Sequence, residues 1–103
     1  RTVESIGDPE LLARGRLMMS EILMISGGLK AAQEAADAAL EEAKAHRYAR
    51  LEAEALVMRA RILAAQGNRG HANESARQAI QFFDRQSIAH PKRADLEVIA
   101  ASR

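Results

Sequence analysis

The amino-acid sequence predicts an all-α fold, and three observations carry that prediction. No stretch alternates apolar and polar residues with the two-residue period of a half-buried strand. Long Ala- and Leu-rich segments are separated by short stops, most of which contain Gly or Pro. The chain also matches itself after a shift of 40 residues. The expected architecture is a single domain over residues 1–103. It holds antiparallel helical hairpins, about five helices in all. The first hairpin covers 9–46 and the second 48–86, and a last helix over 91–102 is a cap or part of a third unit.

Residues 1–7 form a lead without a pattern of their own. Asp8-Pro9-Glu10 opens the first helix. Asp8 can cap free N–H groups, Pro9 suits the first helical position, and Glu10 suits the positive end of the helix dipole. The helix is expected over Pro9–Ile25, apolar on more than one face and so in need of burial on both sides. Ser26-Gly27-Gly28 stops it, because Gly accepts the positive φ of a helix C-terminus. The second helix, Leu29–His46, is rich in Ala, with a seam of Ala32, Ala36, Ala39 and Ala43. The next corner is placed at Ala45-His46-Arg47-Tyr48, although it holds neither Gly nor Pro. The third helix is expected over 48–65, ending at Gln66-Gly67-Asn68. The fourth is expected over 71–86, with Ala72, Ala76, Ala79, Ile80 and Phe83 on its seam. Residues 87–90 connect to a last helix opened by Pro91, which is expected to lack a second element to pack on.

Placing residue n beside n+40 pairs Met18 with Met58, Ile22 with Ile62, Leu23 with Leu63, and Gly27 with Gly67. It also pairs Ala32 with Ala72, Ala36 with Ala76, and Ala39 with Ala79. A turn glycine followed by small residues at fixed distances is what a repeated helical hairpin requires. On these residues the chain resembles the tetratricopeptide repeat family. In the second copy Leu56 falls on the family's large position and Ala60 on its small one. Leu63 falls on the usual aromatic, Gly67 on the turn, and Ala72 and Ala79 on the two Ala positions. Arg59 stands where Leu is usual and Ala76 where an aromatic is usual. In the first copy Gly27, Ala32 and Ala39 match, whereas Arg16 and Ser20 replace the large and small residues. The spacing of 40 exceeds the family's common spacing of about 34 residues. It is similar to the extended repeats of bacterial MalT-type regulators and of kinesin light chains. The resemblance implies hairpins stacked as a short right-handed solenoid. It also implies a non-catalytic protein-binding scaffold, cut from a larger bacterial signalling or transcription-regulating protein.

Composition narrows the function classes. Hydrophobic residues make up 48% of the chain but aromatics only 3%, so the core is built from Ala, Leu, Ile, Val and Met. A net charge of +1 argues against a nucleic-acid binder driven by bulk charge. The absence of Cys removes disulfides, thiolate metal sites and cysteine nucleophiles. No apolar run approaches the ~20 residues of a membrane span. No signal-peptide pattern is visible, and a cytoplasmic location without membrane contact is expected.

No residue set points to catalysis, a cofactor or a metal. His46, His71 and His90 lack partners at ligand spacing and are expected at the surface or at helix ends; the spacing of His71 and Glu74 is only a weak hint of a metal site. Glu41-Glu42 and Glu52/Glu54 suit solvated helix faces. Gly27-Gly28 and Gly67 suit turns, and no phosphate-loop Lys-Ser/Thr follows them.

The resemblance places a concave groove on ten residues. In the first copy these are Arg14, Leu17, Met18, Glu21 and Met24; in the second they are Glu54, Val57, Met58, Arg61 and Ala65. Members that clamp a peptide's terminal carboxylate use Lys and Asn here. Leu17, Met18, Val57 and Met58 stand in their place, which removes that mode. A Met-lined apolar groove suits a helix or an apolar peptide. The competing expectation is that the Met residues are core, against a neighbouring repeat or another subunit. A homo-oligomer formed through the apolar first helix and the groove is the alternative function. Nucleic-acid contact is a weaker one, resting on Arg69, Arg77, Arg85 and Arg93. The first three recur every eight residues, an interval expected to drift slowly around one helix face.

Overall fold

The computed structural model describes residues 8–101. The lead over residues 1–7 and the last two residues lie outside the described part. Five α-helices account for the described elements: α1 Pro9–Ile25, α2 Leu29–His46, α3 Ala49–Ala65, α4 Arg69–Gln86 and α5 Arg93–Ala101. Strands are absent among the described residues.

The helix starts follow their capping chemistry. The Asp8 carboxylate accepts the Glu10 N–H at 3.0 Å, with Pro9 in the first turn of α1. The Asn68 side chain accepts the His71 N–H and so caps α4, which begins two residues before the expected His71. Asn at the cap outweighs the helix-loosening effect of Gly70. The helix α5 begins at Arg93 rather than at Pro91. Pro91 and Lys92 form a turn in which the His90 carbonyl accepts the Arg93 N–H at 3.1 Å.

The helix ends share one device. Gly27, Arg47, Gly67 and Ser87 all have positive φ, at 94°, 58°, 78° and 55°. In each case the next residue's N–H reaches back five residues. Gly28 bonds Leu23 at 2.8 Å, Tyr48 bonds Ala43 at 2.9 Å, Asn68 bonds Leu63 at 3.0 Å, and Ile88 bonds Phe83 at 2.8 Å. This is the Schellman pattern, which satisfies carbonyls that the helix leaves open. The four left-handed residues stand 20 apart, so each helix with its turn is one equal unit. The corner between the two hairpins therefore turns on Arg47, without Gly.

Each helix packs on its neighbours in sequence, and α3 also touches α1 and α5, whereas α2 and α4 do not meet. The molecule is 20 Å deep in its thinnest direction, about two helix diameters. The interior is made largely of Ala. Ala32, Ala36, Ala39 and Ala43 of α2 and Ala76 and Ala79 of α4 have no exposed surface. Ser20 takes the small position in α1, where its hydroxyl donates to the Ala32 carbonyl at 2.7 Å and so is buried at no hydrogen-bond cost. Ala76 packs in one cluster with Phe82, Phe83 and Leu96. The last helix therefore does have a packing partner, contrary to expectation. Leu96 is fully buried in that cluster, and Asn73 of α4 donates to the Ile99 carbonyl at 3.3 Å.

Arg93 ties the start of α5 to α4, at 2.8 Å from Asp84 and 3.1 Å from Glu97. The hydrogen bond from Arg93 holds the Asp84 carboxyl below its ordinary value, and Arg93 is raised in turn. A carboxyl whose pKa falls on folding stabilises the folded state at neutral pH, and that support is lost as pH falls through the folded value. Asp84→Asn should therefore loosen α5 at neutral pH, read from the helical backbone shifts of residues 93–101. The difference from wild type should vanish in strong acid. The backbone gives a second expectation. Arg47→Gly and Ser87→Gly remove a side chain from a left-handed position, and each should raise stability by about 0.5–1 kcal/mol in thermal or urea unfolding.

Candidate functional site: a cation-rimmed cleft between α1 and α3

Helices α1 and α3, together with residues 90–92, enclose an open cleft of about 360 Å³. Eight of the ten predicted groove residues line it: Arg14, Leu17, Met18, Glu21, Glu54, Val57, Met58 and Arg61. Met24 stands apart and lines a neighbouring hollow with Arg61 and Val98. Ala65 is exposed at the end of α3 and lines neither. The repeat explains the convergence. Positions 40 apart occupy equivalent turns of α1 and α3, and those two helices touch.

The two central methionines differ. Met58 is 5% exposed and packs with Ala32, Ala36 and Ile62. Met18 is 65% exposed at the cleft mouth. Met58 is thus core that reaches the cleft floor, and Met18 is free surface. Val57, at 3% exposure, completes the floor with Leu51.

Arg50, Leu51, His90, Pro91 and Lys92 also line the cleft, and sequence reasoning missed them. Arg50 and Leu51 sit one turn before Glu54 on α3, so helical spacing from the expected groove could have found them. For His90, Pro91 and Lys92 there was no signal, because only tertiary folding brings that connection against α3.

His90 was expected at the surface or at a helix end; it lies in the connection between α4 and α5, with its side chain 6% exposed. Its ring stacks on Phe83, with centroids 5.2 Å apart and planes 4° from parallel. Its Nδ1 accepts the Lys92 N–H at 3.0 Å, which places the proton on Nε2, 2.9 Å from Glu54. His90 thereby bolts the connection to both α4 and α3.

The rim carries Arg14, Arg50, Arg61 and Lys92 against Glu21 and Glu54. Arg14 reaches Glu10 at 3.0 Å, and Glu54 is taken up by His90. Among the described residues no carboxylate pairs with Arg50, Arg61 or Lys92, and Arg61 instead points an N–H at the Met58 sulfur at 3.9 Å. The cleft is therefore an apolar floor with a cationic rim.

The Arg series elsewhere does not form a patch. An α-helix turns by about 80° every eight residues, so Arg69, Arg77 and Arg85 face three directions. Arg85 lies over the Phe82 ring at 5.8 Å, Arg77 donates to Asn73, and Arg93 is held by its two carboxylates. Arg59, where the repeat family has Leu, reaches across to Asp37 of α2 at 3.8 Å. Among the described residues no three His, Asp or Glu side chains gather as a metal would require. Among the described residues no helix is long and apolar enough to cross a membrane.

No family model, curated protein or solved structure matches this chain.

His90→Ala is expected to cost about 2–3 kcal/mol in urea unfolding, because the Phe83 stack and two hydrogen bonds go together. Nitrogen-15 shifts of the His90 ring should show the proton on Nε2, and a proton on Nδ1 would contradict the Lys92 contact.

Proposed function

We propose that this chain is a non-catalytic, tetratricopeptide-like interaction module whose cleft receives the apolar face of a helical segment flanked by carboxylates. The observation that carries the proposal is the convergence of α1 and α3 on an apolar floor whose rim holds Arg50, Arg61 and Lys92, none paired with a carboxylate among the described residues. A cleft of about 360 Å³ takes about two large side chains, as an amphipathic helix presents at i and i+3 or i+4.

The wider proposal is a short right-handed solenoid. The helix pairing supports it, as do the 20-residue units and the 40-residue self-match. In that arrangement α5 would be the opening helix of a third unit. We place the module within a larger bacterial regulator on the repeat length and on the Ala-rich helix that closes on Gln66-Gly67-Asn68, and in the cytoplasm on the lack of Cys and of a signal-peptide pattern.

The test uses a synthetic amphipathic helix with a Leu face and Glu flanks, titrated by fluorescence anisotropy. Arg50→Glu with Arg61→Glu should weaken binding by about tenfold or more, and a Lys-flanked version of the peptide should bind less well than the Glu version. Backbone shifts should move at Leu17, Val57 and Met58. No binding, or shifts confined to other faces, would refute the proposal.

A further inference from the structure

The outer face of α1 is the largest anomaly on the surface. Leu11, Leu12, Met18, Met19, Ile22 and Ile25 are between 41% and 76% exposed. They lie opposite Ala13 and Ser20, which are fully buried. Together they offer on the order of 600 Å² of apolar surface, against about 800 Å² per partner in a standard interface. Of the equivalent positions on α3, 40 residues on, Leu51, Met58 and Ile62 are at 5% exposure or less, Glu52 and Arg59 are charged, and Ala65 at the helix end is exposed. On α3 the helix α2 covers that face. On α1 nothing described does.

Two further observations say what covers it. Leu11, Gly15, Met18, Ile22 and Ile25 follow the alternating four-three spacing of a coiled-coil seam. Gly15 sits in the helix interior, where Gly costs up to about 1 kcal/mol relative to Ala, yet a Cβ there would meet no atom within 4 Å. Nothing among the described residues requires that glycine; a second backbone approaching the seam would. Arg14 and Glu21 stand seven residues apart along one flank of the seam. A two-fold axis across an antiparallel pair brings equivalent flanks together, so Arg14 of each copy meets Glu21 of the other.

We propose that α1 pairs antiparallel with α1 of a second copy of this chain, about a two-fold axis near Met18, with Gly15 as the point of close approach. The competing exposed Arg14–Glu10 contact is weak and yields readily. Because Arg14, Met18 and Glu21 also line the cleft, the second copy's α1 would build up one wall of it. The pairing stands whether or not the cleft takes a peptide.

Sedimentation equilibrium from micromolar to millimolar concentration tests this, with circular dichroism confirming that each variant is folded. Wild type should form a dimer. Ile22→Glu and the exposed-residue changes Arg14→Glu and Glu21→Arg should each weaken it by about tenfold or more. Mixing R14E with E21R should restore pairing, because each opposite-charge contact re-forms across the two variants. Gly15→Leu should raise the melting temperature at low concentration and weaken the dimer. A monomer at every concentration would overturn the proposal. So would a dimer indifferent to I22E or G15L, or R14E and E21R chains that fail to pair when mixed.

Discussion

Close approach of helices through single-carbon side chains is the constraint on which this structure rests. The seam of α2 is Ala32, Ala36, Ala39 and Ala43, and that of α4 is Ala72, Ala76 and Ala79, none more than 2% exposed. Ala13, Ala53 and Ala60, with Ser20, answer them from α1 and α3. An interior this finely divided has few large side chains to absorb error. Among the described residues Phe83, Ile62 and Leu96 are the only large ones in it without exposed surface. Volume added on the seam must therefore move a whole helix rather than a neighbouring side chain. The same economy explains why Phe83 is tied so firmly, with His90 stacked on it and Leu96 beside it.

The polar groups of the cleft are organised outward from that core. Phe83 fixes His90, His90 fixes Glu54 and the turn at Lys92, and the turn fixes one rim of the cleft. A surface feature is thus positioned by a buried ring three residues before the end of the helix that carries it. Its opposite wall is α1, whose outer face is apolar beyond what its own fold uses.

Much of the fold was legible in the sequence because helix ends are written locally. Asp8-Pro9, Gly27 and Gly67 act through backbone geometry that the residue itself sets, and the bounds of α1 and α2 fall where those residues and the Ala-rich run put them. The corner at 45–48 was legible too, but not that Arg47 is the residue that turns it, since an Arg in the left-handed region is held there by the hydrogen bonds around it. In the cleft, residues on α1 and α3 were legible through the repeat, whereas His90 and Lys92 were not, because local pattern does not record a chain folding back. Met18 and Met58 make the clearest case. They match at 40 residues, yet one is open and one buried, since only Met58 has a helix in front of it.

The four left-handed turns are not equal in energy. Within each hairpin the turn residue is Gly, for which positive φ costs little. At both joints that follow a hairpin it is Arg47 or Ser87, for which the same backbone costs about 1–2 kcal/mol. The chain therefore stores its backbone tension at the joints and keeps its hairpins relaxed. Pulled from its two ends, such a chain has weak links built in at regular intervals, and what would come apart first is one hairpin from the next.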